Sequence, residues 1–149
     1  MVYVFEYNIV TKLIIFFTII ISSTYCYAQV GNLTIKIAGV KDLKGDIHAF
    51  IYSSKDGFPV DLSKAAESKM VKANTQILTL KFSNIKHSFY AVSVYHDKDS
   101  NGRVNSNILG IPIEPVGVSN NAKGRFGPPK FEDAKFYLDK DITIEVTIE

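Results

Sequence analysis

Tyr90-Ala91-Val92-Ser93-Val94-Tyr95-His96-Asp97-Lys98-Asp99-Ser100-Asn101-Gly102 joins a clear strand pattern to the chain's densest group of oxygen-bearing side chains. Tyr90, Val92 and Val94 alternate with Ala91, Ser93 and Tyr95. That period of two predicts a β-strand, because successive side chains of a strand point to opposite faces. The strand delivers His96 and Asp97 to its end. Asp99 and Asn101 follow Asp97 at intervals of two, with Gly102 directly after.

The same period recurs on both sides. Leu33, Ile35 and Ile37 alternate with Thr34 and Lys36, and Leu78, Leu80 and Phe82 with Thr79 and Lys81. Asp46 to Ser53 carries apolar residues on both faces, which predicts a central strand. Ile142, Ile144, Val146 and Ile148 alternate with Thr143, Glu145, Thr147 and Glu149, one face for the core and one for water. Shorter strands are expected near Ile113 to Val118 and at Ala134, Phe136 and Leu138. Gly39 to Gly45 reads as a hairpin loop, and Asn84 to Ser88 and Asp139 to Asp141 as turns. Ser54 to Met70 breaks the rhythm and predicts one short helix, capped by Asp61 or Ser63. About seven short strands (six to eight) with almost no helix predict an all-β, antiparallel Greek-key β-sandwich.

Asn105 to Pro129 is rich in Gly, Pro, Asn and Ser and predicts little regular structure. A long irregular segment inside a small domain is more often functional or clamped than idle.

Lys12, the apolar run Leu13 to Ile21 and Cys26-Tyr27-Ala28 predict a signal peptide over residues 1–28, cleaved before Gln29. Residues 29–149 then form a single β-sandwich domain, exported to the periplasm or the extracellular space and associated with the envelope or released. The apolar core falls short of the about 20 residues that span a bilayer, so the mature chain is not expected to be transmembrane. A retained N-terminal anchor is the rival reading. Cys26, the only cysteine, lies in this leader, and bulky Tyr25 before it argues against lipidation. The mature chain would have no disulfide and would rely on its core or on a bound ion. A net charge of +2, with basic and acidic residues interspersed, gives no footprint for nucleic acid.

The Asp-rich loop carries the most specific chemistry. Calcium takes six to eight oxygen ligands. Asp97, Asp99 and Asn101 supply side-chain oxygens at the first, third and fifth positions of such a loop. Gly102 makes the turn, Arg103 offers its carbonyl, and Asn105 stands at the ninth position. The twelfth position is Ile108 where an EF-hand has glutamate, and the flanks are not helices, so an EF-hand is not expected. The missing oxygens would come from elsewhere, with Asn107, Glu114, Asn120 and Asp133 as candidates. The rival reading is an Asx-rich turn that satisfies its own hydrogen bonds.

His96 and Asp97 are adjacent on a strand and point to opposite faces, poor geometry for a catalytic dyad. No Gly-x-Ser-x-Gly elbow and no His-x-x-x-His pair is present. Tyr52, Phe58, Tyr90, Tyr95, Phe126 and Phe131 read as core or as a binding face. Asn32-Leu33-Thr34 is a glycosylation sequon, a match that is common by chance.

Tyr90-Ala91-Val92 through His96-Asp97, Asn101-Gly102, Gly110-Ile111-Pro112-Ile113-Glu114, Gly117-Val118-Ser119-Asn120-Asn121 and Gly127-Pro128-Pro129-x-Phe131-x-Asp133-Ala134 together resemble the domain-of-unknown-function 2141 family. The resemblance covers essentially the whole mature chain. It implies a small exported bacterial protein whose sandwich is similar to transthyretin-like (prealbumin-like) and carboxypeptidase-regulatory-like domains, with no established activity. It also suggests that Glu114, Ser119, Asn120 and Asn121 fold back beside the Asp loop. The expectation is a non-enzymatic exported domain with a structural calcium ion and, at the same end, a surface for a small ligand or an envelope or extracellular partner. An envelope hydrolase using His96, Asp97 and Glu114, or an adhesion or assembly module, is the alternative.

Overall fold

A computed structural model describes residues 8–12 and 29–149, so nearly all of the expected signal peptide, Cys26 included, lies outside the described residues. Its strands are β1 (Val30–Ala38), β2 (Asp46–Tyr52), β3 (Glu67–Lys72), β4 (Leu78–Lys86), β5 (Ser88–Asp97), β6 (Val116–Val118), β7 (Phe136–Leu138) and β8 (Ile142–Thr147). One sheet has the order β4-β1-β8 and the other β3-β2-β5-β6, with β7 also paired to β5. The chain passes from one sheet to the other between β1 and β2, β3 and β4, β4 and β5, and β7 and β8, so Gly39 to Gly45 is a crossover between sheets and not the expected hairpin loop.

The alternating residues meet between the sheets. Leu33, Ile35 and Ile37 of β1, with Phe82 and Val146, pack against Ile47, Ala49, Ile51, Val92 and Val94 of β2 and β5. Fully burying an aliphatic side chain of this size contributes roughly 1.5–3 kcal/mol, so this layer is the main source of stability. Phe50, Tyr52, Ala91 and Tyr95 point the other way. They form a second cluster with Val118, Phe131 and Ala134, and Phe58 and Leu62 pack against it. β2 and β5 are therefore buried on both faces, which for β2 is what its two-faced apolar pattern predicts.

Two short strands share the outer edge of β5. β6 pairs with Ser93 to Tyr95 and β7 with Ser88 to Tyr90. Buried Ser119 fills the gap between them. Its hydroxyl accepts from the Val92 N–H at 2.9 Å and donates to the Ala134 carbonyl at 2.7 Å.

Several local features differ from expectation. The β1–β8 ladder is parallel, while the other ladders between these strands are antiparallel. The region of the expected short helix holds only a 3₁₀ turn, Leu62–Lys64, capped by Asp61, and then β3. β3 is an edge strand with nearly every residue exposed, so it lacks the alternation that reveals strands. Asn84 does not end β4, because its left-handed backbone (φ 61°) is absorbed within the strand. Ala134 belongs to a short helix, Phe131–Ala134, rather than to a strand.

Candidate functional site

Strand register builds the site. Asp46 of β2 stands opposite both Lys72 of β3 and Asp97 of β5. Tyr95 stands opposite Val116, so two residues further along each chain Glu114 comes level with Asp97. Lys72, Asp46, Asp97 and Glu114 thus form a row across the end of one sheet. Lys72 neutralises Asp46, with Nζ 2.9 Å and 3.0 Å from its two carboxylate oxygens. Ser100 donates to the same carboxylate at 2.6 Å. These bonds, the Lys72 one foremost, hold the Asp46 carboxyl below its usual pKa.

The loop after β5 winds around Asp97, which is 1% exposed. Asp97 Oδ1 accepts from the Asn101 N–H at 3.0 Å and Oδ2 from the Gly102 N–H at 2.7 Å. Gly102 has φ 77°, and a Cβ there would meet nothing, so it is the backbone conformation that favours glycine. Asp99 accepts from the side-chain amides of Asn101 (3.0 Å) and Asn105 (2.9 Å). Asn101 Oδ1 accepts from the Arg103 N–H at 2.8 Å. Glu114, 6% exposed, clamps both ends of the loop by accepting from Lys98 N–H at 2.9 Å and Asn105 N–H at 2.8 Å.

Carboxylate oxygens of Asp97, Asp99 and Glu114 lie within 4.8 Å of one another. Among the described residues, no Lys or Arg forms an ion pair with any of them. His48 Nε2 is 3.7 Å from Asp97 Oδ2, but burial lowers the His48 pKa despite the pull of Asp97. Its ring stacks on Tyr95, with centroids 4.7 Å apart. The Tyr95 hydroxyl is pushed up to about 12, by burial first and then by the Asp97 and Glu114 charges. Asp99 is held below the usual carboxylate range, chiefly by the Asn105 amide. The result is a set of hard oxygen donors with no Lys or Arg counter-ion among the described residues, which suits a hard divalent cation. Each Asp97 and Glu114 oxygen takes one N–H and keeps lone-pair capacity for a metal.

The predicted site residues fall into two groups. Asp97, Asp99, Asn101, Arg103, Asn105 and Glu114 come together. Ser119, Asn120, Asn121 and Asp133 do not join them. Ser119 sits at the level of Val92, five residues and roughly 16 Å along β5 from Asp97. Asn120 donates to the carbonyls of Asp133 and Lys135, and Asn121 accepts from Thr147 N–H. These residues fasten the irregular segment to its neighbours. Asn107 is likewise spent, accepting from Leu109 and Ile111 N–H.

Buried His96 faces the other way. It stands opposite Ile47, on the core side of β5, and its Nε2 is 2.7 Å from the Lys44 carbonyl, to which it donates. His96, Asp97 and Glu114 are not assembled into one constellation. Among the aromatic candidates, Tyr52, Tyr90, Tyr95 and Phe131 are buried, while Phe126 is fully exposed. Asn32 of the sequon directs its side-chain amide to Asp141 at 2.9 Å. His48 and Asp46 were not among the predicted site residues. Their role depends on β2 pairing with β5, which no local pattern specifies.

Residues 35–145 match the family model described as "Uncharacterized protein conserved in bacteria (DUF2141)". The chain belongs to this family. No curated protein and no solved structure matches it. The match takes in the whole acidic loop, Glu114 and the segment that carries Ser119 to Asp133.

Proposed function

We propose that this chain is an exported, non-enzymatic β-sandwich protein in which Asp97, Asp99 and Glu114 hold a calcium ion as a structural element. The observation that carries the reading is the meeting of these three carboxylates, two of them buried, with no Lys or Arg paired to them among the described residues and only His48, 3.7 Å from Asp97, beside them. Asn101 and Asn105 and the Arg103 carbonyl complete the oxygen-rich loop. Like charges held this close repel, and a bound cation relieves that repulsion. The ion would fix the loop to Glu114 and so to the end of the sheet. Thermal melting with and without added calcium tests the reading. An ion that binds only the folded state raises the melting temperature, and a chelator reverses the rise. No shift on adding millimolar calcium to metal-stripped protein would sink it. Export rests on the charged, apolar and small-residue order of residues 12–28, and N-terminal sequencing of the mature protein should begin at Gln29.

A further inference from the structure

Asn101-Gly102 is the chain's single Asn-Gly pair, and both residues are exposed in the acidic loop. The pair has a chemistry of its own, because no Cβ on Gly102 hinders its backbone nitrogen. That nitrogen can attack Cγ, the side-chain carbonyl carbon of Asn101. The N–Cγ bond forms and the Cγ–Nδ2 bond breaks. Nδ2 leaves as ammonia with the proton that the Gly102 nitrogen gives up. Water then opens the resulting succinimide at either carbonyl and leaves aspartate or isoaspartate at position 101.

The loop holds each reacting group. The Gly102 N–H donates to Asp97 Oδ2 at 2.7 Å, so the attacking nitrogen is fixed as a donor and keeps its proton. Asn101 Nδ2, the leaving group, donates to Asp99 Oδ2 at 3.0 Å and to Asn105 Oδ1 at 2.9 Å. Asn101 Oδ1 accepts from the Arg103 N–H at 2.8 Å, which polarises Cγ toward attack. One contact primes the carbon while the others lock the nucleophile and the amide. Opening of this loop is local. β5 ends it on one side at Asp97. On the other side Asn105–Ile113 is a hairpin closed by Ile113 N–H to the Asn105 carbonyl and Asn107 N–H to the Ile111 carbonyl, both at 2.9 Å. Exposed loops open far more often than a whole domain unfolds.

We propose that Asn101 deamidates in the folded chain through openings of the Asp97 lock, and that the product keeps the loop from closing again. Aspartate at 101 loses both amide donors and sets a carboxylate against Asp99, the group that the amide binds. Isoaspartate also inserts one carbon into the main chain, which puts the Gly102 N–H out of register with Asp97. The reaction is a one-way record of loop opening. It needs only water and does not rest on the calcium reading.

The test incubates the full chain in mildly alkaline buffer with chelator and follows the peptide carrying Asn101 by mass spectrometry. The expected result is a steady deamidation mass gain at Asn101 in the folded protein, slower than in the urea-unfolded chain. Asp97→Asn should speed it by roughly tenfold to a hundredfold, the equilibrium weight of one charge-assisted hydrogen bond. Asn105→Ala removes only an outer partner of the amide and should speed it by roughly threefold to tenfold. It keeps the test decisive if Asp97→Asn fails to fold, which circular dichroism checks. The Gly102 amide hydrogen of Asn101→Asp should exchange about tenfold faster than that of the wild type. A rate unchanged in Asn105→Ala or in folded Asp97→Asn, or equal in folded and unfolded wild type, would overturn the lock. No gain at Asn101 in the folded chain while the unfolded chain reacts to completion would overturn the site. Wild-type exchange at Gly102 in Asn101→Asp would overturn the claim that the product holds the loop open.

Discussion

Glu114→Gln separates a metal site from a loop that merely satisfies itself, because it sets two effects of similar size against each other. Glutamine keeps one carbonyl oxygen but turns an NH₂ toward either the Lys98 or the Asn105 N–H. Losing one charge-assisted hydrogen bond costs about 1.5–3 kcal/mol. The same change removes the repulsion between Glu114 and Asp97, whose oxygens approach within 4.8 Å. At an effective dielectric constant of about 20, that repulsion is roughly 3 kcal/mol. In chelator the two terms nearly cancel, and the variant should lie within about 1 kcal/mol of wild type. Calcium breaks the symmetry. At a hundred times its dissociation constant it should stabilise the wild type by about 2.7 kcal/mol, and a tenfold weaker variant by about 1.4 kcal/mol. For a domain of this size 1 kcal/mol moves the midpoint by roughly 3–5 °C, so calcium should raise the wild-type melting temperature by about 10 °C and the variant's by about half that. Calorimetry of metal-stripped protein, with and without calcium, reads both numbers. Equal calcium shifts in the two proteins would refute Glu114 as a ligand. A loss above about 3 kcal/mol in chelator, with no calcium response in either protein, would make the carboxylates loop anchors only.

Ser119→Ala removes the hydroxyl that bridges the gap between β6 and β7, leaving the buried Val92 N–H and the Ala134 carbonyl unpaired. It should cost about 2–4 kcal/mol in chemical denaturation. A loss under about 1 kcal/mol would mean that the gap is satisfied some other way. Gly45→Ala should be more severe, because a Cβ there collides with the Asp97 carbonyl and lies 2.8 Å from Lys98 Cα, at a residue with φ 74°. Wild-type stability in this variant would show that the β1–β2 loop can move away from β5 at no cost. Asp46 gives a pH test. Its pKa is lowered by Lys72 and then Ser100, so its contribution is complete above the ordinary value of about 3.9 and fades as pH falls through the lowered one. Asp46→Asn should therefore be less stable than wild type at pH 7, and the gap should shrink as the pH falls below the ordinary carboxylate value. A gap that stays constant over that range would remove the linkage.

The fold was readable wherever one face of a strand is wet. β1 and β8 show the period of two in their residues, and their apolar faces meet in the core. β3 was not readable, because an edge strand with almost nothing buried has no apolar face to betray it. The calcium-type spacing of Asp97, Asp99 and Asn101 was also legible, since the loop that gathers them is local. The short helix at Phe131–Ala134 was missed because Ala134 stands two and four residues before Phe136 and Leu138, in step with the period of two of a strand.

The division of the predicted site follows from the same distinction. Glu114 reaches Asp97 only because β6 runs antiparallel to β5 with Val116 opposite Tyr95. One residue of slip would turn its carboxylate to the other face of the sheet. Continuing that ladder in the other direction carries Ser119 away from the acidic loop, so Glu114 and Ser119 could not both belong to it. A composition reading pools the polar residues of the irregular segment into one surface. The ladder sorts them instead: Glu114 reaches the acidic end, and Ser119, Asn120 and Asn121 serve as fasteners along the edge of β5 and β8. The segment's length follows from these separate tasks. It must form the Asn105–Ile113 hairpin, supply Glu114, add β6 and then close the outer apolar cluster with Phe131, and each task ends at a different place on the sheet.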